Sequence, residues 1–195
     1  MKKILGILVL GLFLITPSQA DDIRDFQIEG MSIWDSLLDY YSEDKIENFY
    51  NYDDLPSNMK FRIVEFSINE SDKENYDGMQ IYYKPDDKNF IIHGFSGFIE
   101  CPNINCEKKL KEILNDLSSL FKNSEIIGGE KYKAPDDKSG KSIVINYDIE
   151  LTNGFVTLQY IDWSDEVEWI DNIRVEISTN EVYEWSKSGF GAVRY

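Results

Sequence analysis

The chain has 195 residues, with 36 acids against 20 bases and a formal charge of −16, and this length is the scale of one domain. The charge excludes a general nucleic-acid binder, which needs basic surface to displace counterions. A hydrophobic content of 42% with 14% aromatics excludes a disordered chain, and one histidine with two cysteines cannot furnish a zinc site of several His and Cys ligands.

The N-terminus reads as a removable leader. Met1-Lys2-Lys3 is a short basic start, Ile4 to Ile15 is an unbroken apolar or glycine run, and Thr16-Pro17-Ser18-Gln19-Ala20 places small residues Ser18 and Ala20 at the −3 and −1 positions. Charge, apolar core and small-residue site in that order describe a secretory signal. The run of about 12 residues falls short of the roughly 20 needed to span a bilayer as a helix. Cleavage after Ala20 leaves residues 21–195 as a single domain with 18 bases and 36 acids, a charge of −18. Residue 21 is Asp and not Cys, so a lipid anchor is not expected. The compact leader points to a bacterium, and hence to a periplasmic or secreted protein with no membrane span after cleavage.

Ser32 to Tyr41 has helical spacing of Ile33, Leu37, Leu38 and Tyr41, with Ser32 as a cap and Asp35 three residues on. Ser42-Glu43-Asp44 opens a second short helix, and Asn51 to Asn58 is a loop. From Lys60 the period becomes two: Val64, Phe66 and Ile68 mark one strand, Met79, Ile81 and Tyr83 a second, with a polar turn over Asn69–Gly78 between them. Phe90 to Glu100 is a third strand, in which Gly94 and Gly97 mark a bulge or a place where something packs close. Cys101 and Cys106, with four residues between them and in an oxidising compartment, are expected to form a disulfide that pins a strand end to a helix start; the short loop makes this worth about 2 kcal/mol. The alternative, a catalytic dithiol, has the wrong spacing.

Glu107 to Lys122 is the clearest helix, with Leu110, Ile113, Leu114, Leu117, Leu120 and Phe121 on one side. Asn123 to Lys141 reads as a long loop, functional or mobile. Asn153-Gly154 is a hairpin turn between Ile143–Thr152 and Phe155–Trp163. Closing it as a type I′ turn pairs Leu151 with Val156, Ile149 with Leu158 and Tyr147 with Tyr160 on one face, leaving Glu150, Asp148, Thr157 and Gln159 on the other. Ile173, Val175 and Ile177 mark a sixth strand, and Thr179 to Ser186 a last short helix ended by Gly189-Phe190-Gly191. The expected fold is α+β: one twisted antiparallel sheet of about six strands with helices packed on one face. A duplicated strand-strand-strand-helix unit is an alternative.

Few constellations carry chemistry. His93 is the single imidazole, and no Gly-x-Ser-x-Gly elbow accompanies it; an ordinary strand histidine is the default. Ser139-Gly140-Lys141-Ser142 fails as a phosphate loop because Pro135 stands where the first glycine should be. Asp136-Asp137-Lys138-Ser139-Gly140 resembles a calcium loop, but Lys138 and Gly140 replace the alternating acids. Trp163 and Trp169 flank the acidic segment 164–168 and could stack on sugars or peptides, against the simpler reading that they fill the core. No metal site, cofactor or catalytic residue is assigned.

Two stretches, Asp25-Phe26-Gln27-Ile28-Glu29-Gly30-Met31-Ser32-Ile33-Trp34-Asp35-Ser36-Leu37-Leu38 and Tyr83-Lys84-Pro85-Asp86-Asp87 running into Phe98-Ile99-Glu100-Cys101, resemble small exported proteins of AT-rich marine bacteria of the Pelagibacter type. The resemblance implies export and brings no known activity or functional residues. The Gly30-Met31-Ser32 start is also similar to small outer-membrane assembly lipoproteins, whose lipidated cysteine this chain lacks. The expected function is a non-enzymatic periplasmic binding or interaction module whose negative charge favours a cationic or periplasmic protein partner. The alternatives are a hydrolase using carboxylates, with or without His93, and a sugar- or peptide-binding surface at Trp163 and Trp169. Mass spectrometry of the exported protein checks the leader and the cysteines together: the expected mass begins at Asp21 and lacks two hydrogens.

Overall fold

A computed structural model describes residues 22–51, 59–67, 76–102, 105–135 and 137–190. The export signal with its cleavage point, the loop at 52–58, the turn at 69–75, Ile68, Asp136 and Gly191 lie outside the described residues. In chain order there is a small hairpin, β1 (Gln27–Ile28) and β2 (Met31–Ser32), then helix α1 (Glu43–Glu47) and strands β3 (Tyr50–Asn51), β4 (Arg62–Ser67), β5 (Gly78–Tyr83) and β6 (Gly94–Glu100). Helix α2 (Cys106–Leu120) follows, then β7 (Ile126–Lys133), β8 (Ile143–Leu151), β9 (Gly154–Asp162), β10 (Asn172–Thr179) and helix α3 (Asn180–Trp185). The main sheet is antiparallel, in the order β3-β4-β5-β6-β10-β9-β8-β7. The fold is thus α+β as expected, but with more than six strands, the outermost being the two-residue β3.

Alternation assigns the two faces. Val64, Ile81, Phe95, Ile177, Val156 and Ile149 are cross-strand partners in one continuous row and are at most 1% exposed. Helix α2 covers this face with Leu110, Ile113 and Leu117, joined by Ile23, Phe26 and Met31 from the N-terminal segment; the Phe26 and Phe121 rings lie 4.9 Å apart. Each such side chain contributes roughly 1.5–3 kcal/mol by leaving water.

The expectation that the helices share a face is corrected. Val182 and Trp185 of α3 pack with Phe61, Ile63 and Tyr82 in a separate cluster. Ile63 and Tyr82 are each one residue from Val64 and Ile81, so they point to the opposite side. Each half of the chain is a four-strand run ending in a helix, and the halves meet at β6 and β10. Because α2 and α3 take opposite faces, a two-fold axis normal to the sheet does not superpose them, and the duplicated unit is not supported.

Local departures have identifiable causes. No helix forms over 32–41. Trp34 has φ +71°, and the Trp34 and Leu37 N–H groups donate to the Ile92 and Phe90 carbonyls at 2.8 and 3.1 Å rather than along a helix. Only Leu37–Asp39 makes a 3-10 turn, capped by Ser36. The second short helix is present as α1, with Ser42 capping through Lys45 N–H. The third strand begins at Gly94 rather than Phe90, whose φ is +48°. The glycine reading there holds: a Cβ on Gly97 would stand 2.4 Å from the Tyr76 ring. The long loop contains β7, hidden from the pattern because Gly128 and Gly129, at φ +112° and +93°, sit where the register shifts and break the period of two.

The disulfide Cys101–Cys106 forms across a Cα–Cα distance of 5.8 Å and ties the end of β6 to the first residue of α2. The β8–β9 hairpin is present with its expected faces, but its register is corrected by two residues. Thr152 and Asn153 form the turn, neither with positive φ, and Leu151 pairs with Gly154, Ile149 with Val156 and Tyr147 with Leu158. The reason is close approach: Gly154 belongs to the strand, where a Cβ would stand 2.0 Å from the Ser178 carbonyl oxygen on β10. Gly154→Ala is therefore expected to cost about 1–3 kcal/mol or more in a denaturant titration, since the obstacle is backbone.

Candidate functional site

The sheet face opposite α2 carries an apolar cluster at each end. At one end is the α3 cluster with Phe61, Ile63 and Tyr82; at the other, Ala134, Val144, Ile161 and Trp163 form a third cluster, with Val167 and Trp169 against it. Between them run two polar rows. Glu65, Gln80, Ser96, Glu176, Thr157 and Asp148 are successive cross-strand partners from β4 to β8. The next row continues as Phe98, Arg174, Gln159 and Asn146. A sheet covered on both faces would place apolar residues at these positions.

The side chains of this band bond to one another. Arg174 donates to Gln80 Oε1 at 3.1 Å, and Gln80 Nε2 donates to Glu65 Oε2 at 2.6 Å. Tyr82 donates to Glu176 Oε2 at 3.3 Å. Asp148 accepts from Thr157 at 2.8 Å, from Tyr183 at 3.0 Å and from Lys187 at 3.1 Å. Gln159 donates to Asn146 at 2.9 Å. Over β8 to β10 these side chains are half-buried, whereas Gln80 and Ser96 are fully buried. Ser96 Oγ has no hydrogen-bond partner among the described residues, and a buried hydroxyl in that condition costs free energy.

Burial pushes the Glu176 carboxyl above its ordinary value; Arg174 beside it and the Tyr82 hydroxyl pull the other way without cancelling the rise. The strands β8, β9 and β10 hold these groups on rigid backbone. The aromatic pair Phe155–Tyr183, stacked at 3.6 Å, stands at the α3 end, and Tyr132 on β7 is exposed at the other.

The residues singled out from sequence do not converge. His93 O accepts from Thr179 N–H at 2.9 Å, at the end of β10, and its ring lies 5.5 Å from Phe61. Burial, then the neighbouring Lys84, holds the imidazole below its usual range. Trp163 N–H donates to Asp171 Oδ1 at 2.8 Å, just before β10 starts. Eight residues of strand separate the two places, about 25 Å at the rise of a β-strand, so His93 and the tryptophans share no site. Trp163 is 9% exposed and meets Trp169 edge to face at 4.5 Å; the pair packs with the third cluster rather than presenting two free rings.

The calcium-like segment has another use. Asp137 accepts from the Ser139, Lys141 and Ser142 N–H groups and from the Ser139 and Ser142 hydroxyls, which together hold its carboxyl well below the usual range. It is the clasp of a turn. Among the described residues no group of three or more His, Cys, Asp or Glu is placed to hold a metal ion.

Glu176, Arg174, Ser96, Gln80 and Asn146 carry no motif that marks a site, although alternation puts Gln80, Arg174 and Glu176, and the hairpin pattern Asp148, Thr157 and Gln159, on the face away from the core. The remaining signal was the partnership of β6 with β10, which local pattern does not contain. Comparison of the chain with protein-family models, curated proteins and solved structures finds no match.

The raised Glu176 value has a thermodynamic sign. A carboxyl easier to protonate in the folded state stabilises the fold below its unfolded value near 4.5, and that stability is lost as pH rises through the folded value. Glu176→Gln is expected to raise the melting temperature at pH 7, with the gain disappearing as the pH is lowered past 4.5; calorimetry across pH checks it.

Proposed function

We propose that the mature chain is an exported, non-enzymatic binding module and that the polar band over β8, β9 and β10 is its ligand seat. The band carries this reading: half-buried polar side chains stand on adjacent strands between two apolar clusters, and two buried hydroxyls on this face, Ser96 and Ser178, lack a partner among the described residues. Export, to the periplasm or beyond, is supported by the leader and by the disulfide. No described helix is long and apolar enough to cross a membrane.

The carboxylate-hydrolase alternative is less well supported by the same band. Glu176 and Asp148 lie in one row two strands apart, roughly 10 Å between backbones. Asp148 spends one oxygen on Thr157 and the other on Tyr183 and Lys187, which leaves it poorly placed to activate water. A cationic or periplasmic partner remains the reading of the overall charge of −16.

A thermal-shift screen of the mature protein against metals, sugars, peptides and polyamines tests the seat. A ligand that binds only the native state at a hundred times its Kd adds about 2.7 kcal/mol. At least one class is expected to raise the melting temperature, and a Thr157→Ala, Gln159→Ala double variant with an unchanged circular dichroism spectrum is expected to abolish that rise. A rise that survives the double variant, or no rise with any class, overturns the assignment.

A further inference from the structure

Resting on the reading of the chain as an exported binding module, though not on its polar band, we infer that the outward side of segment 34–40 is a docking surface for a basic amphipathic segment of another protein. Ile33 and Leu37 are buried in the core that α2 covers, so the segment lies on that side of the sheet and the band on the other. Trp34, Leu38 and Tyr40 instead stand 39%, 41% and 39% exposed, three of the six exposed large apolar side chains among the described residues. The Tyr40 hydroxyl donates to Asp35 Oδ2 at 2.6 Å, which brings its ring back beside the residue next to Trp34. Single apolar residues on a surface are ordinary, whereas three within seven residues make a patch.

The backbone under the patch is fixed. Besides the Trp34 and Leu37 donors, the Ile92 N–H donates to the Asp35 carbonyl at 2.9 Å and the Ser36 hydroxyl to the Asn89 carbonyl at 2.6 Å. Trp34 and Phe90, on the two sides of this contact, both have positive φ, a costly conformation for an aromatic residue. The patch is thus preorganised. Its surroundings are acidic: residues 22–47 hold eight acids against two bases. Both bases lie over aromatic rings, Arg24 5.8 Å from the Trp34 centroid and Lys45 4.7 Å from that of Tyr41, and Arg24 is also paired with Asp22 at 2.8 Å. Asp39 and Glu43, on either side of Tyr40 in the chain, have no ion-pair partner among the described residues. Exposed rings beside unpaired acids complement a segment that carries Lys or Arg between apolar residues. A second copy would set the same acids face to face across a two-fold axis, and an anionic membrane would be repelled. Three side chains cover too little area for a permanent interface and suit a short segment held transiently.

The test is 15N-resolved NMR titration of the mature protein with three sets of short synthetic peptides at 50 and 500 mM salt. The first set mixes lysine with leucine and phenylalanine at strand or helix spacing, the second replaces lysine by glutamate, and the third mixes lysine with glycine. The expected result is that a peptide of the first set moves the Trp34 indole and the Leu38 and Asp39 amide resonances, with an affinity at least about fivefold weaker at the higher salt. The glutamate peptides are expected to move none of these, and the lysine-glycine peptides to bind at least about tenfold more weakly, since they bury no apolar side chain. Leu38→Ser with Asp39→Asn is expected to weaken first-set binding at least about tenfold at an unchanged melting temperature, whereas Thr157→Ala with Gln159→Ala leaves it unchanged. If first-set peptides move the band instead and lose affinity in the Thr157, Gln159 variant, the docking surface falls and the binding module stands. Equal affinity for the lysine-glycine peptides reduces the patch to a diffuse acidic field and overturns the inference. So does a Trp34 shift that appears only with phospholipid vesicles, or only with rising protein concentration, because the occupant is then a membrane or a second copy. No shift with any peptide overturns the docking surface and leaves the band to its own thermal-shift screen.

Discussion

The pairing of β6 with β10 is the constraint on which the rest depends. It joins the two strand runs into one sheet and sets Gly94 to Glu100 in register with Ser178 to Asn172. Once Phe95 stands opposite Ile177, alternation places the whole apolar row on the α2 side. The same alternation places Ser96 opposite Glu176, and Phe98 opposite Arg174, on the other side. The core and the polar band are therefore two consequences of one register. A slip of one residue would exchange them, putting Glu176 under α2 and Ile177 in the band.

The small residues of β6 make that pairing workable. Tyr76 packs against Gly97 on the core side, and the Tyr82 ring lies against Gly94 on the other, where a Cβ would stand 3.1 Å from it. The strand thus accepts a ring on each face without spreading its neighbours. Chemistry-bearing groups then sit on strands held from both sides rather than on loops, which favours a preorganised surface over one that adapts to its ligand.

Much of the architecture was legible in the sequence because local signals agreed with the final packing. Strands β4, β5, β8, β9 and β10, helix α2 and the capped turns at Ser42 and Thr179 follow from period and capping residues. The failures lie where a distant segment decides. Ile33, Leu37 and Tyr41 are spaced like a helix face, but segment 90–92 takes the backbone donors of Trp34 and Leu37. Gly154 reads as a turn glycine, yet the neighbouring strand needs it flat. The candidate site was half visible: Asp148, Thr157 and Gln159 follow from the hairpin, whereas Glu176 and Ser96 join them only through partners far along the chain. The tryptophans drew notice by residue type alone, and type does not reveal that one ring packs edge-on against the other.

The bulge in β7 has a bearing on how the protein behaves in a crowd. An outer strand of eight residues, with Ile127 and Tyr132 exposed, offers unpaired amides and carbonyls to any extended chain nearby. Gly128 and Gly129 break that ladder in its middle, and Lys131 and Lys133 put charge on the remainder. The β7 margin of the sheet is thereby a poor template for copies of itself.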